Sequence, residues 1–164
     1  MLPSHAVAAD DYVNHSYDRV RSALVADPNQ VFRRATAGSA DDSALRVGIA
    51  GLDIAVDTAI DVVRVEEDDG RSVLVLHLDW RAVRHPAVFP RMTATLRVFP
   101  LTATETQLAL EGTYTPPFGP VGAMLDAAAG HRLAAAAVTT FVRQVAAYLR
   151  EQLVESPVAR LSAR

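Results

Sequence analysis

Histidine is the side chain here best suited to move protons or hold a metal, and the chain has five: His5, His15, His77, His85 and His131. Metal ligands must converge on one point, which local structure supplies through short repeats such as i, i+4 on a helix. No two of these histidines have that spacing. His77 alternates with Asp79 and Arg81 in "LHLDWR", the pattern of one charged, solvated strand face. His85 stands in the loop "RHPAVFP" and is the titratable group best placed to reach a cavity mouth. Asp57 and Asp61 share a strand face and mimic a pair of catalytic carboxylates. They fall on the polar side, whereas acid–base work needs a shielded group.

Cysteine and lysine are both absent, and all 16 basic residues are arginine. Without cysteine there is no thiol nucleophile, thiolate metal site or disulfide. Without lysine, Schiff-base chemistry is left to the N-terminal amine alone. No serine sits in a nucleophile elbow, and no glycine run has phosphate-loop spacing. The expectation is therefore no catalytic residue, no metal and no cofactor.

The chain has 164 residues, half of them hydrophobic, enough for one domain with a real core. Its net charge is −3 with both signs scattered, so no basic stripe points to nucleic acid. No apolar run is long enough to span a membrane. The opening "MLPSHAVAADDYV" lacks the charged-then-apolar order of a signal peptide, and the expected compartment is the cytoplasm.

The elements that must position these groups can be read from periodicity. Residues 5–14 read as a strand. "HSYDRVRSALVADP" reads as a helix with Ser16 as its N-cap. Pro28 ends that helix or starts the next, a short one in "NQVFRRAT". A strand over 44–50 carries Leu45, Val47 and Ile49 on one side. Strand 54–66 sets Ile54, Val56, Thr58, Ile60 and Val62 against Ala55, Asp57, Ala59 and Asp61. Asp69-Gly70 is a hairpin turn, with Gly70 free to take positive φ. Strand 72–83 carries Leu74, Leu76, Leu78 and Trp80 on its apolar face. Strand 92–99 carries Met92, Ala94, Leu96 and Val98, and Pro100 belongs to the following turn. Strand 105–115 carries Leu108, Leu110 and Tyr114. Such alternation marks strands with one wet face.

"GTYTPPFGPVGAML" then turns the chain into one long helix over 120–153. Pro116-Pro117 ends the ladder, and Pro120 suits the first helical position. Leu125, Leu133, Phe141, Val145, Leu149 and Leu153 mark its apolar face. Arg132, Thr139, Arg143 and Arg150 mark the wet one. Gly130 is expected to kink or divide this helix. Residues 1–155 are expected to form one domain and 156–164 a disordered tail.

The order is strand, two short helices, antiparallel meander and long C-terminal helix. It resembles the helix-grip fold of the START-related superfamily. That group includes birch-pollen-allergen-like proteins and bacterial polyketide cyclase/dehydrase-like proteins. The likeness is strongest in "LEGTYTPPFGPVGAMLDAAAGHRL" and in "SYDRVRSALVADP". It implies an α+β fold in which a curved antiparallel sheet wraps a long C-terminal helix. It also implies seven strands, where the sequence shows six. A cavity between sheet and helix follows from the resemblance, as does binding of lipids, sterols, polyketides or hormones by related proteins.

Ala134 to Ala137 project little volume toward the strands, which is consistent with such a cavity. The residues expected to line it are Ile60, Leu76, Leu78, Trp80, Leu96, Leu110, Tyr114, Leu125, Leu133, Ala137 and Phe141. Phe89 and Phe118 lie in proline-rich loops and are expected to gate one end. The expected function is non-catalytic binding of a hydrophobic small molecule or lipid by a monomer or homodimer. The alternatives are a cyclase/dehydratase-like enzyme, for which Thr58, Trp80, Thr106 and Tyr114 are the inward polar groups, and a protein-interaction module with a filled core.

Overall fold

The computed structural model describes residues 4–37, 44–49, 52–83, 91–115 and 119–154. In chain order these form β1 (His5–Val13), α1 (Tyr17–Ala26), α2 (Pro28–Thr36), β2 (Ala44–Ile49) and β3 (Leu52–Asp68). They continue as β4 (Val73–Ala82), β5 (Arg91–Thr102), β6 (Glu105–Thr115) and α3 (Gly119–Val154). The described strands make one antiparallel sheet in the order β1-β6-β5-β4-β3-β2. The hairpins β2–β6 account for most of this order. β1 then closes on the last strand, from His5 opposite Tyr114 to Val13 opposite Thr106. α1 and α2 carry the chain from one sheet edge to the other.

The alternation expected from the sequence sets the faces. Leu74, Leu76, Leu78 and Trp80 of β4 are buried, as are Met92, Ala94, Leu96 and Val98 of β5 and Leu108, Leu110 and Tyr114 of β6. Asp61 and Arg81 are exposed and His77 half-buried on the other side, while Asp57 lies outside the described side chains. The register shifts between Val62 and Arg64, so that Arg64 pairs with His77 and Val65 with Leu76. Strict alternation would have turned Arg64 inward. The extra residue of a β-bulge keeps it outside, and Val63 is exposed.

Several local expectations are corrected. The Ser16 side chain makes no capping bond. Its carbonyl accepts from Arg19 N–H (3.1 Å) and Val20 N–H (3.2 Å) instead. The capping carboxylate is Asp27, which accepts from Gln30 N–H at 2.9 Å and places Pro28 in the first turn of α2. One residue thus ends α1 and starts α2. In the β3–β4 turn the positive φ falls on Ser72 (53°) rather than Gly70. Pro100 lies within β5, at a register irregularity near the hairpin tip, where a missing N–H is tolerated. α3 runs unbroken through Gly130.

α3 lies against the two edge strands, β1 and β2, and against β6. The middle of the sheet reaches it through side chains. Arg150, expected on the wet stripe, is half-buried. It donates to Asp11 Oδ1 at 2.8 Å and to the Tyr12 carbonyl, with its guanidinium 5.2 Å from the Tyr12 ring centre. Arg19 donates to the Leu153 carbonyl, and His15 Nε2 lies 3.4 Å from the Arg150 carbonyl. The Arg19 guanidinium therefore meets a carbonyl at the end of α3 and, with His15, fixes the helix to the β1–α1 corner. No described helix is long and apolar enough to cross a membrane.

Candidate functional site

The space between sheet and α3 has two zones. Around the C-terminal half of α3 it is filled. Val13, Val20, Leu24, Leu74, Val98, Leu108, Val145 and Leu149 keep no accessible surface. Thr106 is buried among them. Its hydroxyl donates to the His15 carbonyl at 2.8 Å, so it serves the backbone rather than a ligand.

Next to this zone stands an aromatic group drawn from three elements. Phe141 of α3 meets Trp80 of β4 and Phe32 of α2, each with ring centres 5.2 Å apart and planes steeply inclined. Edge-to-face geometry sets the positive rim of one ring on the negative face of another, which favours such contacts beyond their buried area. Phe32 was not expected here. The adjacent apolar pair Val31-Phe32 in an otherwise polar helix is the signal that it faces inward.

N-terminal to Phe141 along α3, the packing loosens. Leu133, Ala135, Ala136 and Ala137 are half-buried against the core, as is Ile60 of β3. Four consecutive alanines leave little volume on this part of the helix. Of the residues expected to line a cavity, Leu76, Leu78, Trp80, Leu96, Leu110, Tyr114 and Phe141 are in the buried core, none more than 5% exposed. Ile60, Leu133 and Ala137 retain accessible surface and pack against the same cluster. Phe89, Phe118 and the Leu125 side chain lie outside what the structure describes, and so does the expected gate. A ligand meets Leu76, Leu96 or Phe141 only if their present packing opens.

Tyr114 is the polar group at the edge of this zone. Two imidazoles stack on its ring: His5, its cross-strand partner, at 5.4 Å, and His131 of α3 at 6.5 Å. Residues separated by most of the chain are brought together by the pairing of β1 with β6. Burial pushes the Tyr114 phenol above its ordinary pKa, so it keeps its proton at neutral pH and can donate a hydrogen bond. Among the described residues, no three His, Cys, Asp or Glu side chains come together as a metal site.

The outer face of the sheet carries a groove of about 850 Å³, floored by small residues such as Ala6, Ala8, Thr93 and Thr113. Its charges are already paired. Arg91 donates to both carboxylate oxygens of Asp79, at 3.0 and 2.8 Å. That hydrogen bonding holds the Asp79 carboxyl below the usual carboxylate range. Arg97 pairs with Glu111 at 2.7 Å. Its arginines and carboxylates satisfy each other, while the buried His77 Nε2, 3.4 Å from Glu66 Oε1, makes no hydrogen bond.

No family model matches the chain, and no curated protein matches it in sequence. Solved structures resemble it. A conserved protein from Geobacillus kaustophilus superposes with a TM-score of 0.56 at 13% identity, over 90% of this chain and 97% of that one. The Zhui aromatase/cyclase from Streptomyces sp. R1128 gives 0.52 at 16% identity, over 92% of this chain and 96% of that one. Norcoclaurine synthase from Thalictrum flavum, in complex with dopamine and hydroxybenzaldehyde, gives 0.53 at 11% identity, over 94% and 89%. At these identities the likeness is one of fold. It agrees with the resemblance read from the sequence: a helix-grip fold, α+β, with a long C-terminal helix gripped by a curved antiparallel sheet.

Proposed function

We propose that this chain binds a hydrophobic small molecule or lipid between sheet and α3, as a non-catalytic carrier or sensor. The observation that carries the reading is the change in packing along α3. From Val138 to Leu149 its inward face is fully buried, whereas Leu133, Ala135, Ala136 and Ala137 keep apolar surface accessible while packing against the core. Exposed apolar surface costs about 25 cal/mol per Å² relative to burial, and a bound apolar molecule recovers it. A structure of the same fold that holds two small aromatic molecules supports the reading. Native mass spectrometry of freshly purified protein tests it. A retained hydrophobic molecule supports the carrier. A protein that arrives empty and takes up no hydrophobic probe counts against it and favours a protein-interaction module.

The stacked Tyr114 favours a second reading, a cyclase/dehydratase-like enzyme. A buried phenol that keeps its proton can donate to a carbonyl oxygen as negative charge develops there. The adjacent imidazoles of His5 and His131 can accept and return protons. Two of the three structures compared above are named for enzymes. Incubation with a reactive poly-β-ketone separates the readings. The enzyme gives a cyclised product that Tyr114→Phe loses while probe binding persists. The carrier returns the substrate unchanged.

A further inference from the structure

α3 presents two parallel stripes. Ala134, Val138, Phe141, Val145 and Leu149 are buried in the core. One residue before each stand Leu133, Ala137, Thr140, Gln144 and Tyr148, all half-buried. Both sets recur at intervals of four and three, so each forms one line along the helix. The second line changes character along its length. It opens with Leu133 and Ala137, the accessible apolar surface of the proposed pocket. It then carries a hydroxyl, an amide and a phenol.

The amide stands out. Gln144 Oε1 is buried and has no hydrogen-bond partner among the described residues. A carbonyl oxygen that has given up water without gaining a donor is costly, and such groups are rare in native proteins. Helical side chains lean toward the N-terminus, so the Gln144 side chain extends over the turn of Thr140, toward Ala137. At 1.5 Å per residue, Ala137 lies only about 10 Å back along the axis. An apolar body resting on Leu133 and Ala137 thus has the orphan oxygen near its end.

We propose that Gln144 selects the ligand of this pocket for a hydroxyl group. The occupant is an apolar molecule that ends in an alcohol or phenol, whose O–H donates to Gln144 Oε1. The inference rests on the interior-pocket reading and names the class of molecule that the pocket takes. A carbonyl oxygen accepts and never donates, so it favours a ligand with a donor. A hydrocarbon leaves it unpaired, and an ether offers it only lone pairs. A site built around a hydrogen bond rejects the analogue that lacks it more sharply than an apolar wall rejects a methylene.

Displacement of Nile red, a probe without a donor, from the full chain by decanol and by decyl methyl ether tests this. The two share one apolar chain. The ether is the more hydrophobic and would bind better in a pocket indifferent to the donor. Wild type is expected to bind the alcohol about fivefold or more tightly than the ether. Gln144→Leu, of similar size, should bind Nile red and the ether as wild type does and lose the preference. Its melting temperature should not fall, since leucine removes an unpaired buried polar atom. Three outcomes would overturn the role of Gln144 and leave the pocket in place: no preference for the alcohol in wild type, a preference that Gln144→Leu keeps, or a large fall in that variant's melting temperature. Wild type that binds neither Nile red nor the ether removes the pocket itself, and this inference with it.

Discussion

Phe141 meets Trp80 edge-on, with ring centres 5.2 Å apart, and by that contact the long helix is joined to the middle of the sheet. The backbone of α3 touches the sheet chiefly at its edges, so the gap between helix and central strands is spanned by large side chains or left open. At Phe141 it is spanned. Ala137, one turn earlier, has no side chain long enough to span it and is half-buried against the core.

Phe141→Ala should therefore be among the most damaging single changes in the chain. The ring is fully buried and packs against both Trp80 and Phe32. Removing it deletes apolar burial and leaves a cavity among partners from three elements. The expected loss is about 3–5 kcal/mol in urea unfolding, against about 2 or less for Leu133→Ala on the accessible part of the same helix.

Gly130→Ala should act in the opposite direction. Gly130 is inside α3, and nothing lies within 4 Å of where a Cβ would sit. Alanine there lowers the entropy of the unfolded chain without a clash. The expected gain is roughly 0.5–1 kcal/mol in the same assay.

The pair Asp79–Arg91 predicts a pH dependence. Hydrogen bonding from Arg91 depresses the folded-state pKa of Asp79 below its unfolded value. Its contribution is then fully present above the ordinary carboxylate range and is lost as pH falls through the depressed folded value. Arg91→Gln should be less stable than wild type at pH 7. That difference should shrink as the pH falls through and below about 4, where Asp79 gains its proton in both proteins. Unfolding midpoints measured across this range check it, and a difference that stays constant down to low pH would contradict the pairing.

Much of this architecture was legible because each strand has one wet face. The alternation of Leu74, Leu76, Leu78 and Trp80 with His77, Asp79 and Arg81 fixes orientation without any knowledge of partners. The bulge after Val62 was not legible, because an extra residue in one strand leaves no compositional mark. Pro100 and Gly130 misled for the opposite reason. Both are strong local signals, and context overrode them: a hairpin tip absorbs the proline, and the helix continues through the glycine. The site was legible in part. Inward-facing residues could be named from periodicity, but the split between a filled zone and an accessible one depends on which side chains meet across the grip. Phe32 meets Phe141, and His5 meets Tyr114 and His131, only once α2, α3 and β1 are in place.

Titration of a hydrophobic fluorescent probe into wild type and Ala137→Phe tests the central claim most directly. Ala137 is half-buried on the slim part of α3, beside accessible apolar surface. If that surface lines a pocket, the new ring occupies the pocket and the fold accepts it. Wild type should bind the probe saturably, and Ala137→Phe should lose about tenfold or more in affinity, roughly 1.4 kcal/mol. The variant's melting temperature should stay within about 2–4 °C of wild type, equivalent to roughly 1 kcal/mol or less. A filled interior would instead be overpacked, at a cost of about 1–3 kcal/mol. Wild type that binds no probe, together with a large fall in the variant's melting temperature, would contradict the account.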